Sequence, residues 1–166
     1  MSRTVVSIDN SWEFYKGDAP DVGAPWQRIN LPHCYNTRDL PAAGTELAPV
    51  EESSTAGFAG YGSTEGRDYY RGIAWYRKRL PPLSIENGQR VCIRFEGANQ
   101  DATVFVNDIR IGEHLGGYTA FAFDITEAIR GNDHNVVTVR LSNAHNDEVP
   151  PIGGDLGHFG GIYRSV

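Results

Sequence analysis

Cysteine is scarce in this chain: Cys34 and Cys92 are the only two in 166 residues, beside a single methionine. There is no C-x-x-C and no paired-histidine spacing, so the sequence offers no zinc site of the usual kind. A domain of this length does not depend on a disulfide, and both cysteines read as free thiols, Cys34 in a loop and Cys92 in a strand. Long apolar runs are missing as well; none approaches the ~20 residues that a membrane span requires. Positive charge is not in excess. The net charge is -6 with the signs interspersed, which argues against nucleic acid and membrane as partners, because both call for a basic surface. Nucleophile elbow, phosphate-binding glycine loop and dinucleotide fingerprint are all absent. The first residues, Met1 to Thr4, lack the apolar segment of a secretory signal.

What the sequence has in quantity is turn formers, 19 glycines and nine prolines. Between them lie short β-like runs: 4–8, 12–15, 26–31, 69–80, 90–97, 102–106, 109–114, 118–125 and 135–144. Val91, Ile93 and Phe95 alternate with polar neighbours, the pattern of a half-buried strand. Asn107-Asp108 between two alternating runs predicts a two-residue hairpin. The chain also turns at Asn87-Gly88, and residues 126–131 suit one helical turn with Thr126 as cap and Gly131 as stop. Many short strands, no long amphipathic helix and no βαβ alternation predict one all-β domain, a jelly-roll β-sandwich over residues 1–166. Residues 41–66 show no periodicity, and a loop that long in a compact domain is functional or mobile.

The final stretch, GGDLGHFGGIYRSV from Gly153 to Val166, sets Asp155 among glycines. Such a run lets main chain pass close to a ligand or a neighbouring domain. It stops at Arg164-Ser165-Val166, in the opening of what reads as a strand, so the chain reads as one piece of a larger protein.

Five stretches carry a resemblance: LPHCYN (31–36), YYRGIAWYRK (69–78), FEGANQDATVFVN (95–107), GEHLGGYTAFAFDIT (112–126) and GDLGHFGGIYR (154–164). Together, in order, they resemble the N-terminal sugar-binding domain of glycoside hydrolase family 2, in wording nearest the β-galactosidase-like members of gut bacteria. The resemblance implies a jelly roll that precedes an immunoglobulin-like sandwich and a TIM barrel carrying two catalytic glutamates. It implies a carbohydrate substrate and the parent's own catalytic domain as partners; the compartment is left open, relatives from gut bacteria being often periplasmic or secreted. Two features depart from the family: Asp108 stands where glycine usually follows the hairpin asparagine, and 41–66 matches no family pattern.

By this resemblance, Asp155 reaches from the domain into the barrel's active site, binding a substrate hydroxyl or a monovalent or divalent cation that holds one. A carboxylate suits that role because its two oxygens accept several hydrogen bonds. The bland alternative is a loop aspartate fixing its own turn. Aromatic rings are the usual platform for pyranose faces, which makes Tyr69 and Tyr70 candidates at the edge of the irregular loop. At period-2 strand positions rings are more often core, the reading taken for Trp75, Tyr118 and Phe121, and also for Trp12 and Trp26. Phe159 is a further ring near the glycine run. His33 and His158 could touch ligand, though turn-stabilising hydrogen bonds suit both; His158 is kept with Asp155, Tyr69 and Tyr70 as a candidate substrate contact. His114 and His145 read as surface residues or donors to backbone. Arg164 reads as half-buried and paired with Asp124 or Glu96, and Arg71 and Arg77 as structural or interdomain donors.

No residue is assigned a catalytic role. Glycoside hydrolysis needs two carboxylates at ~5–5.5 Å or ~6.5–9.5 Å, and nothing in the spacing of Glu65, Asp68, Glu148 and Asp155 brings two of them together. No metal or cofactor is called for by the residues themselves. Two rival readings stand beside the enzyme-domain one: an autonomous lectin-like module with its own aromatic platform, and a structural domain whose faces serve only packing.

Overall fold

The computed structural model describes residues 3–36, 70–131, 133–144, 146–149 and 159–166. Eight strands run β1 (Trp12–Lys16), β2 (Gln27–Ile29), β3 (Ile73–Leu80), β4 (Cys92–Phe95), β5 (Asp101–Val106), β6 (Ile109–Leu115), β7 (Phe121–Asp124) and β8 (Asn135–Ser142). Six of them form an antiparallel sheet in the order β2-β1-β3-β8-β5-β6, and β4 pairs with β7 opposite it. The architecture is the expected all-β sandwich of jelly-roll type.

Alternation sorts the side chains of the large sheet onto two faces, and the β4–β7 pair covers one of them. Phe14, Tyr76, Val139 and Val104 stand abreast by register, and all four are buried. Ala74, Leu141 and Ala102 form the next row inward, and Ile93 and Phe95 of β4 close the core from the other side. Burying one such side chain contributes roughly 1.5–3 kcal/mol. The β5–β6 hairpin turns on Asn107 and Asp108 at φ 51° and 66°. Asparagine and aspartate are the non-glycine residues that best tolerate this left-handed region, so Asp108 replaces the family's glycine without disturbing the two-residue turn.

Some expectations shift. Residues 4–7 form no strand; Val5 and Val6 are exposed, and only Ile8 is held, its N–H donating to Val166 O at 2.9 Å. The 26–31 run shortens to Gln27–Ile29, and the 69–80 run pairs only from Ile73, because Tyr70 and Gly72 are used by side chains instead. The helical turn spans Thr126–Ala128, but Ile125, not Thr126, sits at its cap, and Ile129 rather than Gly131 ends it in extended backbone. The Thr126 hydroxyl donates to Asp124 at 2.6 Å. Of the rings assigned to the core, only Trp12 is there. Trp75 and Trp26 are half-buried on the outer side of the large sheet, Tyr118 is 59% exposed, and Phe121 lies half-buried between Phe95 and His114. Period-2 spacing does not say which of a sheet's two faces is covered.

Candidate functional site

Every strand of the large sheet's centre starts or ends at one rim, where the loop 31–36, the entry to β3, the entry to β5, the exit of β8 and residues 159–161 converge. Four buried amide side chains organise it. Asn36 accepts from the Gly160 N–H at 3.0 Å and donates to Tyr70 O at 3.4 Å. Asn143 donates to the same Tyr70 carbonyl at 3.1 Å and accepts from the Gly72 N–H at 2.9 Å. Asn99 donates to Phe159 O at 2.5 Å, and its backbone exchanges hydrogen bonds with Gly161 at 3.0 and 3.3 Å. Gln100 donates to Ala144 O at 2.7 Å. Such groups are buried only because each finds backbone partners.

The last residues are laced into this rim. Tyr35 N–H donates to Gly160 O at 2.9 Å and His33 N–H to Ile162 O at 2.8 Å. Gly161 lies so close that an added Cβ would sit 2.1 Å from His33 O, at φ +149°. Only glycine fits there. Asn36 and Tyr70, which flank 37–69, and Phe159, the first described residue after 150–158, therefore meet at the same rim.

Three buried or half-buried tyrosines crowd this region. Tyr35 and Tyr70 meet edge to face at 5.9 Å. Burial, then the neighbouring Tyr70 and Cys34, pushes the Tyr35 phenol up. Burial and then the Asp18 charge raise Tyr70, whose hydroxyl donates to Ile73 O at 2.7 Å. Burial raises Tyr76 well above its ordinary value.

A polar cleft of about 420 Å³ adjoins the rim, lined by Gln100, Asp101, Ser142, Asn146, Asp147 and Glu148, with Ala144. The Gln100 Oε1 is buried without a hydrogen-bond partner among the described residues. Carboxylate and amide oxygens of this kind accept hydrogen bonds from hydroxyl groups. A wider groove of about 900 Å³, lined by Ile85, Ile109, Ile111 and Asp124 among others, touches none of the candidate residues.

Of the residues predicted to contact substrate, Tyr70 is at this rim, half-buried, with Lys16 Nζ 5.1 Å from its ring centre. Asp155, Tyr69 and His158 lie outside the described residues, as do His145 and the 41–66 segment. His33 bonds through Nδ1 to the Tyr76 hydroxyl at 2.9 Å, which anchors its loop to the core. His114 stacks on Phe121 at 4.1 Å and contacts the Thr119 hydroxyl. Arg164 is exposed and packs over Tyr163 at 5.6 Å; Asp124 pairs instead with Arg90, and Glu96 with Arg94 at 2.8 Å. Arg77 takes a structural place, 2.8 Å from Glu13 and 4.2 Å above Trp26. Cys34 and Cys92 are free thiols. Among the described residues, no three His, Cys, Asp or Glu side chains are grouped to hold a metal ion, and no helix is long and apolar enough to cross a membrane.

The rim amides Asn36, Asn99, Gln100 and Asn143 were not singled out from sequence. Three of the four fall inside the stretches LPHCYN and FEGANQDATVFVN, and Asn143 directly follows β8.

Comparison with known proteins bears on this arrangement directly. The family described as "Glycosyl hydrolases family 2, sugar binding domain" matches residues 65–166. A β-glucuronidase of Bacteroides fragilis is 34% identical over 164 residues, covering 99% of this chain and 20% of the relative. A β-galactosidase of Thermoanaerobacter pseudethanolicus is 45% identical over 100 residues, 58% of this chain and 14% of the relative. The crystal structure of a Bacteroides uniformis β-glucuronidase superposes with a TM-score of 0.70 at 33% identity, over 96% of this chain and 17% of that one. The chain thus spans about a fifth or less of the length of these relatives.

Proposed function

Since this chain belongs to glycosyl hydrolases family 2 as their sugar-binding domain, we propose that it works as the non-catalytic wall of a glycosidase pocket. It packs on a separate catalytic domain that supplies both catalytic carboxylates, and it lends Asp155, with Tyr69, Tyr70 and His158, to the sugar. Asp155 accepts sugar hydroxyls directly or through a cation. Relatives named β-glucuronidase and β-galactosidase share the domain, so we take the substrate as a terminal β-linked sugar of either kind, the β-galactosidase-like reading resting on the wording of the five stretches.

The observation that carries this proposal is the fixing of residues 159–161 to the rim by Asn36, Asn99 and Tyr35. A segment re-entering a framework through that many hydrogen bonds starts from a defined place. Contacts to remote hydroxyls orient the sugar for attack, so losing one lowers kcat as well as affinity. A hydrogen bond to a charged group contributes ~1.5–3 kcal/mol, so Asp155→Ala in the full-length enzyme should lower kcat/KM by about 10- to 150-fold. Wild-type kcat and KM in that variant would remove Asp155 from the site.

A further inference from the structure

The outer side of the six-stranded sheet is neither core nor ordinary surface. Register places Tyr15, Trp75, Arg140 and Thr103 in one row, and Arg28, Glu13, Arg77, Thr138 and Phe105 in the next. The rings cluster: Trp75 and Phe105 lie nearly parallel, 6.4 Å apart at 27°, and Tyr15 meets Trp26 at 5.9 Å. All four rings are half-buried. At ~4.8 Å per strand, β2 to β5 spans about 19 Å, room for several pyranose rings.

The charge on this face runs against that of the chain. Arg28, Arg77, Arg79, Arg110 and Arg140 share it with Glu13, Asp101 and Glu113 by register, a surplus of two positive charges on a chain of net charge -6. Glu13 is taken by Arg77, Asp101 by Arg140 at 3.7 Å, and Glu113 by Arg110. Arg28 and Arg79 are left exposed, with no carboxylate in ion-pair range among the described residues. Beside them Lys78 has its pKa lowered, by burial and then by the Arg28 charge. Repulsion from the acidic remainder is screened beyond ~8–10 Å at ordinary salt, so the local surplus governs what this face meets.

We propose that this outer sheet face binds a carboxylated glycan, Trp75 and Phe105 stacking on pyranose faces and Arg28 and Arg79 receiving uronate carboxylates. Guanidinium is suited to carboxylate by its planar fork, and a ring to the apolar side of a sugar. The face borders the rim at Asp101 and Tyr15, but none of Trp75, Phe105, Arg28 and Arg79 is a residue of the pocket-wall proposal, so variants at those four test this inference separately. The other occupant such a face could take is an acidic protein surface.

Affinity electrophoresis of the 166-residue chain in gels containing polygalacturonate, neutral galactan or polyglutamate separates the two. Polygalacturonate alone should retard the chain. Arg28→Gln/Arg79→Gln should weaken that binding about tenfold or more, with an unchanged unfolding midpoint, since loss of one charge-assisted contact is worth about that factor. Phe105→Leu, which keeps apolar volume but removes the ring, should weaken it less but measurably. No retardation by polygalacturonate overturns the proposal. So do equal retardation by polyglutamate or by galactan, and wild-type binding in either variant.

Discussion

The sandwich carries a buried asparagine network at each end, and the two do different work. At the hairpin end Asn107 donates to Asn135 Oδ1 at 2.7 Å and to Ala128 O at 2.8 Å, and accepts from Val136 N–H at 3.0 Å. Asn135 in turn bonds Arg130 and Asp133 backbone groups at 2.7 to 3.1 Å. Those partners come from one hairpin and the connection into β8, so the network closes the fold on itself. At the rim the amides of Asn36, Asn99 and Asn143 reach segments far apart in the chain, joining 36 to 160, 99 to 159 and 143 to 72. One network ends a sheet. The other ties distant segments of the chain into the rim on which the pocket-wall proposal rests.

The strongest way to break this comparison is to disturb the rim's backbone. Gly161→Ala puts a Cβ 2.1 Å from the His33 carbonyl at φ +149°, and neither atom belongs to a flexible side chain. Strain and overpacking together should cost roughly 3–5 kcal/mol, read as a fall in chemical-denaturation midpoint; a cost under about 1 kcal/mol would show that the rim yields. Next comes the hairpin end. Asn107→Ala removes three hydrogen bonds in a buried setting and should cost about 2–3 kcal/mol, a Tm lower by roughly 4–12 °C. Asn36→Ala should cost less, about 1–2 kcal/mol, since Asn143 still donates to Tyr70 O, while the Gly160 N–H and the Cys34 thiol lose their acceptor. In a full-length enzyme the ranking of these two should reverse for kcat/KM, with Asn36→Ala the more damaging. Equal effects on both quantities would mean that the two networks are interchangeable props.

Much of the sandwich was legible because alternation is a local signal. The β5–β6 hairpin, β8 and β4 with its buried Ile93 and Phe95 follow from period-2 spacing and the Asn107-Asp108 turn. Which face a ring occupies was not legible, since Trp75 and Tyr76 are adjacent in β3 and only tertiary packing, which sets Tyr76 against Phe14 and His33, decides that it is inside. Residues 4–8 carry β-branched side chains, yet a strand needs a partner, and Ile8 alone finds one in Val166. The rim amides were illegible for a different reason. Their burial depends on bonds across 34 to 124 residues of sequence, whereas an isolated asparagine reads as a turn former. Asp155, Tyr69 and His158 lie outside the described residues, so their roles stand as proposals drawn from the resemblance alone.

The smallest effect sharpens the comparison by chemistry rather than by truncation. Amides do not titrate, so the hairpin end should ignore pH, whereas the rim side holds Tyr35, Tyr70 and Tyr76, all raised above the ordinary phenol value chiefly by burial. A group whose folded pKa is raised contributes stability that is fully present below its unfolded pKa, about 10 for tyrosine. That stability is lost as pH climbs toward the folded value, because the unfolded chain then sheds protons that the folded one keeps. Denaturation midpoints should therefore fall between about pH 9 and 11, and fall less steeply in Tyr35→Phe, which removes one of the three phenols together with its long 3.3 Å bond to Gly72 O and its contact with the Asn143 backbone. Asn107→Ala should lower the midpoint by the same amount at both pH values. A Tyr35→Phe slope equal to wild type would place the alkaline sensitivity elsewhere, and a pH-dependent Asn107→Ala cost would tie the two ends together.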